Sequence, residues 1–289
     1  MEIFYMINSK TKLIGILGYP LGHSLSPLMH NQVLAKMGLN YVYLPLEVRP
    51  DDIAKAVEAV RVFDMLGVNV TIPHKERVTK YLDDISPEAK ACGAVNLIKH
   101  TKGRLVGHNT DGDGFIAGLR EDNIDYKGDI LLLGAGGAAK AVGYALARAG
   151  AKSLTFLNND EIQAAKLADY ISEQTKVNCR SLLLNQANFN DIAIDIDMLI
   201  NCTPVGMYPN IDAGPMADLA RLKSHVIVCD LIYNPLKTKF LTLAEANSLR
   251  IVNGLPMFIH QGALTFEILT ELSPPINYMK EVVLNHLVL

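Results

Sequence analysis

Short apolar runs alternate with longer amphipathic stretches along most of this chain. Residues 13–18, 41–48 and 65–72 are rich in branched and aromatic side chains and are bounded by glycine or proline, which predicts buried strands. Between them, 27–37 and 51–62 have helical spacing, the second with Asp51 and Asp52 at its positive end. Residues 77–85 and 86–92 predict further helical turns. Residues 93–98 and 104–109 predict a pair of strands joined at Lys102-Gly103, and 111–120 a connecting helix. A second alternating block follows, with strands at 130–133, 153–157, 198–201, 226–230 and 250–252 and helices after Gly137 and over 162–174. Residues 257–272 and 275–287 close the chain as helices. Such alternation predicts two α/β domains with mostly parallel sheets. Their expected limits are 1–112 and 113–255, with a cleft between them and the helices of 256–289 packing back onto the first.

The sharpest local pattern is Asp129-Ile-Leu-Leu-Leu-Gly134-Ala135-Gly136-Gly137-Ala138-Ala139. An all-apolar strand runs into a glycine turn, and an alanine-rich amphipathic helix follows. Glycines there let the backbone approach a pyrophosphate, and the helix start offers free N–H groups and a positive dipole end. Ala139 replaces the third glycine of the usual fingerprint and is small enough for close helix–strand packing. An ordinary tight turn is the competing reading.

Composition narrows the classes. Of 289 residues, 49% are hydrophobic, enough for a large core, and the formal net charge of -3 gives no global attraction to nucleic acid or an anionic membrane. Cys92, Cys179, Cys202 and Cys229 lie far apart, with no Cys-x-x-Cys pair. They predict reduced thiols of a cytoplasmic protein, with neither a disulfide frame nor a metal site. The first residues carry no secretory pattern, and Lys140 and Arg148 interrupt the most apolar region.

Several polar groups fall at strand ends, where α/β proteins place binding residues. Ser24 and Ser26 precede a helix and suit a carboxylate or polyol, although a serine there also serves as a cap. Lys75 ends the run Val68-Asn69-Val70-Thr71-Ile72-Pro73-His74-Lys75, where a solvated surface charge is the plainer reading and His74 a loop histidine. Asp111, in Gly107-His-Asn-Thr-Asp111, either contributes to a site or caps the next helix. In the second block, Cys202, Thr203 and Met207 follow a strand and are candidates to lie against a cofactor, and Gly254 suggests a close backbone approach.

These pieces, in order over essentially the whole chain, resemble the shikimate dehydrogenases and their quinate/shikimate relatives. The matching segments are Gly22-His-Ser-Leu-Ser-Pro27, Asn69-Val-Thr-Ile-Pro-His-Lys75, Gly93-Ala-Val-Asn96, Gly107-His-Asn-Thr-Asp111, Gly134-Ala-Gly-Gly-Ala-Ala139, Asn201-Cys-Thr-Pro-Val-Gly-Met207, Tyr233-Asn-Pro235 and Gln261-Gly262. The resemblance implies an N-terminal substrate-binding domain, a Rossmann-type NAD(P)-binding domain and an active-site cleft. It implies that Ser24 and Ser26 hold the substrate carboxylate, with Tyr43 beside it. Thr71, Lys75, Asn96, Asp111 and Gln261 then bind the ring hydroxyls, with Tyr233 close by. Oxidising a secondary alcohol sends a hydride to nicotinamide and a proton to a base. Lys75 near Asp111 suits that step, either desolvated as the base or orienting the hydroxyl and stabilising an alkoxide.

The chain departs from the family at Phe156-Leu-Asn158-Asn159-Asp160-Glu161. NADP-dependent members carry arginines here for the adenosine 2′-phosphate. This chain has no Lys or Arg from Thr155 until Lys166, and has two acids. Asn158 and Asp160 therefore predict NAD as the preferred cofactor with NADP possible, since a carboxylate suits a free 2′-hydroxyl. A helix-starting role for the acids is the alternative. The expected activity is interconversion of shikimate and 3-dehydroshikimate, in aromatic amino acid biosynthesis, by a monomer or homodimer. Quinate dehydrogenase, an amino-shikimate variant and an inactive cofactor-binding regulator are the alternatives. Ser26, rather than a bulkier Thr, weighs for shikimate, and intact Lys75 and Asp111 weigh against the regulator.

Overall fold

The computed structural model describes residues 7–287. The chain divides into two compact units, Met1–Thr110 with Ile259–Leu289, and Asp111–Phe258.

In the first unit the apolar runs become β1 (Lys12–Gly18), β2 (Tyr41–Glu47) and β3 (Gly67–Val70). Helix α1 (Ser26–Lys36) follows β1. Helix α2 (Ile53–Val62) follows β2 after a 3-10 turn at Pro50–Asp52. Three further short strands, β4 (Asp84–Ile85), β5 (Leu97–Thr101) and β6 (Arg104–His108), complete a sheet of order β2-β1-β3-β5-β6-β4. The β1–β2 and β1–β3 pairs are parallel; β5 runs antiparallel to both β3 and β6. Apolar side chains from β3 and α2, among them Val68, Val70, Val57 and Val60, meet in one buried cluster.

Three expectations are corrected in this unit. The third strand is four residues long, not eight, because pairing with β1 and β5 stops at Val70 and the chain turns at Thr71. Residues 77–85 do not form one helix: a 3-10 turn at Arg77–Tyr81 gives way to β4, which pairs with β6. Gly93, expected in a strand, instead ends helix α3 (Pro87–Cys92) in the left-handed conformation (φ 61°), which glycine adopts without Cβ strain. Ser86 caps that helix by accepting the Ala89 N–H.

The second unit begins with α4 (Asp111–Glu121) and alternates regularly: β7 (Asp129–Leu133), α5 (Gly137–Arg148), β8 (Ser153–Asn158), α6 (Glu161–Thr175), β9 (Asn178–Leu183), α7 (Gln186–Ile192), β10 (Met198–Asn201), β11 (Ile227–Asp230), α8 (Lys239–Ala246) and β12 (Arg250–Val252). Its sheet is parallel throughout, in the order β12-β11-β10-β7-β8-β9. The strand order therefore reverses between β7 and β10, which makes their carboxyl ends a topological switch point. β9, α7 and α8 are additions to the expected elements. Helix α9 (Leu255–Thr270) begins in this unit and continues into the first, where α10 (Ile276–Leu287) lies against α1.

Two glycines set distances here. A Cβ on Gly112 would come 2.5 Å from the Ala141 carbonyl oxygen, so α4 lies directly on α5. A Cβ on Gly143 would come 3.0 Å from Phe156, holding α5 close over β8. Phe156 is fully buried in the cluster between these elements. Phe156→Ala is expected to cost about 3–5 kcal/mol through lost burial and a residual cavity, read as a lower urea midpoint with unchanged slope.

Candidate functional site

In the second unit, β7 delivers the chain into the glycine turn. Gly134 has φ +103°, and its N–H donates to the Leu157 carbonyl at 2.7 Å, so the turn stays hydrogen-bonded to β8 as it leaves the sheet. Gly136 precedes α5 in an extended conformation (φ -78°, ψ -171°) that other residues adopt freely. A Cβ on Gly136 or on Gly137 would meet no protein atom within 4 Å. The protein's own packing thus does not require glycine at either position and leaves room for a ligand against the backbone. No side chain caps α5. By contrast Asp160, Asn185 and Thr238 cap α6, α7 and α8. Ala135 and Ala139 are buried, while Ala138 is half-exposed at the first turn beside the glycines. This combination fits a dinucleotide pyrophosphate on the helix start.

The turn after β10 lies next to it. The Cys202 N–H donates to the Leu133 carbonyl at 2.9 Å, and a Cβ on Gly134 would come 3.1 Å from the Thr203 methyl. The Asn201 Oδ1 accepts from the Thr203 N–H (3.0 Å) and hydroxyl (2.7 Å). Its Nδ2 donates to the Val205 carbonyl (3.4 Å) and to Asp230 Oδ1 (3.1 Å). Burial drives the Cys202 thiol upward, keeping it protonated. Met207, beyond the left-handed Gly206 (φ +97°), is 41% exposed.

At the end of β8, the Asn158 Nδ2 donates to the Asp160 carbonyl and to Gln163 Oε1, both at 3.0 Å. Asp160 Oδ1 accepts the Gln163 N–H at 3.0 Å and so caps α6. The helix-starting reading of Asp160 is therefore correct. Gly254 has a cause within the fold: a Cβ there would come 2.1 Å from the Leu231 carbonyl oxygen. The close approach expected at Gly254 is made by backbone, and Gly254→Ala is expected to destabilise by about 1–3 kcal/mol through overpacking, measured as a lower melting temperature. Tyr233, between these loops, stacks on Phe258 with ring centroids 4.2 Å apart.

In the first unit a buried polar network underlies the candidate substrate residues. Neither Ser24 nor Ser26 caps α1: Leu25 is the capping position and gives no side-chain bond. Ser24 Oγ accepts the Ser26 N–H at a long 3.4 Å, and buried Ser26 hydrogen-bonds the Tyr43 hydroxyl. Tyr43 donates to Asn69 Oδ1 at 2.7 Å, and its ring stacks on His30 at 4.5 Å. Burial raises Tyr43 well above the usual phenol range and lowers His30 to about 3, so both are neutral. Asn69 Nδ2 donates to the Asn96 carbonyl (3.1 Å) and to Thr265 (3.2 Å). The Asn96 side chain clasps Thr110, accepting its N–H and donating to its hydroxyl, both at 2.9 Å. Thr110 in turn donates to the Gln261 carbonyl at 3.2 Å. The structure thus brings Tyr43, Asn96 and Gln261 together with Ser26 through Asn69, Thr110 and Thr265, which the sequence reading did not assign. The signal for Asn69 was a polar residue inside an otherwise apolar strand.

Lys75 is half-buried on a turn fixed from several sides. Thr71 N–H donates to the Leu17 carbonyl and His74 N–H to the Thr71 carbonyl, both at 2.9 Å; the Lys75 carbonyl accepts the Val95 N–H at 2.8 Å. His74 is fully buried and ties the turn to the end of β2 through Nε2 and the Val48 carbonyl, 2.7 Å apart. That contact makes Nε2 the protonated nitrogen. Asp111 is the first residue of α4, is buried, and belongs to the unit that carries the glycine turn. No group of three His, Cys, Asp or Glu side chains among the described residues could hold a metal.

A parallel sheet with this strand order and an uncapped glycine-rich helix start define the class of Rossmann-type dinucleotide-binding folds. The first unit's residues 16–98 match the family model for the shikimate dehydrogenase substrate binding domain, and residues 254–284 that for the shikimate 5'-dehydrogenase C-terminal domain. A curated relative from Syntrophomonas wolfei, shikimate dehydrogenase (NADP(+)), is 47% identical over 97% of each chain. Crystal structures of shikimate 5-dehydrogenase from Listeria monocytogenes with shikimate and NAD (TM-score 0.90, 35% identity, 96% and 98% covered) and of quinate dehydrogenase from Corynebacterium glutamicum with NAD (0.87, 30%, 95% and 99%) are similar. The chain belongs to the shikimate dehydrogenase family, NAD(P)-dependent alcohol oxidoreductases. Among the described residues no helix is long and apolar enough to cross a membrane.

At the carboxyl end of β11, burial pushes the Asp230 carboxyl up to about 6, opposed by hydrogen bonds from Thr238, the Ile232 N–H and Asn201. Its folded value exceeds the ordinary 3.8. Stability from this group is therefore complete below about pH 4 and is lost as pH rises through about 6. Carbon-13 NMR of the Asp230 carboxyl should show a midpoint near 6; a midpoint near 4 would contradict the burial argument.

Proposed function

We propose that this chain catalyses reversible hydride transfer between shikimate and 3-dehydroshikimate in the cytoplasm, with quinate a poorer substrate. The observation that carries the reading is the α5 start: glycines whose Cβ positions are open, facing free N–H groups, at the strand-order reversal. The bound dinucleotide supplies the hydride acceptor. Gly134, Ala135, Gly136, Gly137 and Ala138 are its pyrophosphate cradle, with Asn158 and Asp160 at the ribose and Cys202, Thr203, Met207 and Gly254 toward the nicotinamide.

Ser24 and Ser26 receive the substrate carboxylate, with the Tyr43 hydroxyl supporting Ser26 from beneath. Thr71, Asn96, Gln261 and Tyr233 surround the ring. Lys75 and Asp111 act on the reacting hydroxyl. Asp111 orients it and Lys75 receives its proton or stabilises the alkoxide, so charge development in the transition state is met by fixed groups. The pinned turn under Lys75 serves this role, because a positioned group pays no reorganisation at the moment of transfer. Free cysteines support a reducing compartment.

For the cofactor, the curated relatives from 39% to 47% identical are named for NADP(+). This chain nevertheless has no lysine or arginine from Thr155 until Lys166 to neutralise a 2′-phosphate, and Asp160 stands at that turn. On that ground NAD is the better cofactor. Asn159→Arg with Asp160→Thr keeps a capping side chain on α6 and should shift kcat/KM toward NADP. Steady-state assays of nicotinamide reduction with shikimate and quinate, each with NAD and NADP, test the reading. Greater efficiency of the unaltered protein with NADP would refute the NAD preference.

Lys75→Ala should lower kcat by about 10²–10⁴-fold with little change in shikimate KM, and Asp111→Asn should also slow turnover. Circular dichroism should be unchanged for both. A folded Lys75→Ala protein with near-full kcat would remove Lys75 from the mechanism.

A further inference from the structure

Asp230 is nearly buried and takes no part in the chemistry above, yet three elements converge on its carboxylate. Oδ1 accepts from Asn201 Nδ2 and from the Ile232 N–H, both at 3.1 Å. Oδ2 accepts the Thr238 hydroxyl at 2.7 Å, and Thr238 Oγ1 also accepts the Leu241 N–H as the cap of α8. Asn201 in turn holds Thr203 and Val205, and Thr203 Oγ1 accepts the Val205 N–H at 3.3 Å, so the side-chain bonds that shape the turn beside Gly134 start from one amide fixed by one carboxylate. We propose that Asp230 is a positioning residue for the dinucleotide site, its carboxylate holding the 201–207 turn in shape through the Asn201 side chain. The inference rests on reading that turn as part of the dinucleotide site.

Protonation tests the arrangement from within. Among the described residues Oδ2 accepts from the Thr238 hydroxyl alone, so a proton placed there faces a group that must reverse from donor to acceptor. The charge on Oδ1 is then lost, and the bond to Asn201 weakens to a neutral one. Asp230→Asn copies this state, with Nδ2 donating to Thr238 and Oδ1 still accepting from Asn201. The titratable groups around Asp230 do not compete. Cys202 and Cys229 are thiols kept neutral by burial, Lys237 pairs with Glu245, and Arg250 acts on Cys229.

The experiment uses the full chain and NAD(+), whose phosphates are diesters and do not titrate near pH 6. Amide NMR of residues 202–206 is followed from pH 5 to 7.5 without dinucleotide, and the NAD(+) Kd is measured at both ends. In the unaltered protein the turn amides should titrate with a midpoint near 6 and the Kd should rise several-fold toward pH 5. Asp230→Asn should bind about tenfold more weakly at pH 7.5, show no titration of these amides and have a pH-independent Kd. Thr238→Ser should behave as the unaltered protein and Thr238→Val should fall between the two. Shikimate KM should stay within twofold in all. Turn amides that ignore the Asp230 titration, or an Asp230→Asn protein whose folded spectrum and NAD(+) Kd match the unaltered one, would overturn the proposal. Amides that follow Asp230 but do not shift when NAD(+) binds would instead remove the turn from the dinucleotide site, and the inference with it.

Discussion

Unmatched N–H groups at the start of α5 are what the second unit is arranged around. A helix leaves its first four N–H groups without internal partners, and α6, α7 and α8 meet that need with a side-chain cap. α5 does not. Its preceding strand β7 is central and apolar, its glycine turn is hydrogen-bonded to β8, and the neighbouring turn after β10 closes one side. The positive end of the dipole is therefore held at the strand-order reversal, an environment suited to an anionic ligand.

The first unit solves a different problem. Polyol and carboxylate recognition needs polar side chains in fixed positions, and fixing them means burying their supports. Asn69, Asn96, Thr110 and Thr265 are all buried, and each has its polar atoms engaged by another member of the network. A satisfied network of this kind rigidifies; with one partner removed it leaves a buried group unpaired. Asn96 shows the consequence. The residue expected at the ring hydroxyls spends its side-chain oxygen and an amide hydrogen on Thr110, so its position is set by the fold before any substrate arrives.

The two units also differ in how charge is handled. Asp111 rides on α4, which Gly112 seats against α5, so this carboxylate is fixed relative to the glycine turn. Lys75 sits on a turn of the other unit that is tied down by His74 and by backbone bonds to β1 and to Val95. The reaction proposed above assigns a role to each; the local packing explains why each is held so firmly within its own unit.

The sequence by itself determined the alternation of strands and helices, the glycine turn and the ordered motifs, because those rest on local periodicity and on residues whose backbone demands are intrinsic. It could not determine elements whose stability comes from neighbours. β9 is a half-exposed edge strand, and α7 buries only Phe189 and Ile192, so neither carries a strong period of its own. β4 exists because β6 offers it a partner, and β3 stops where its partners stop. The same division holds at the site. Lys75, Asp111 and the glycines were legible as motif residues. That Gly254 answers to the Leu231 backbone, that Asp160 caps a helix, and that Asp230 supports Asn201 were decided only by tertiary structure, since each depends on groups brought together across the fold.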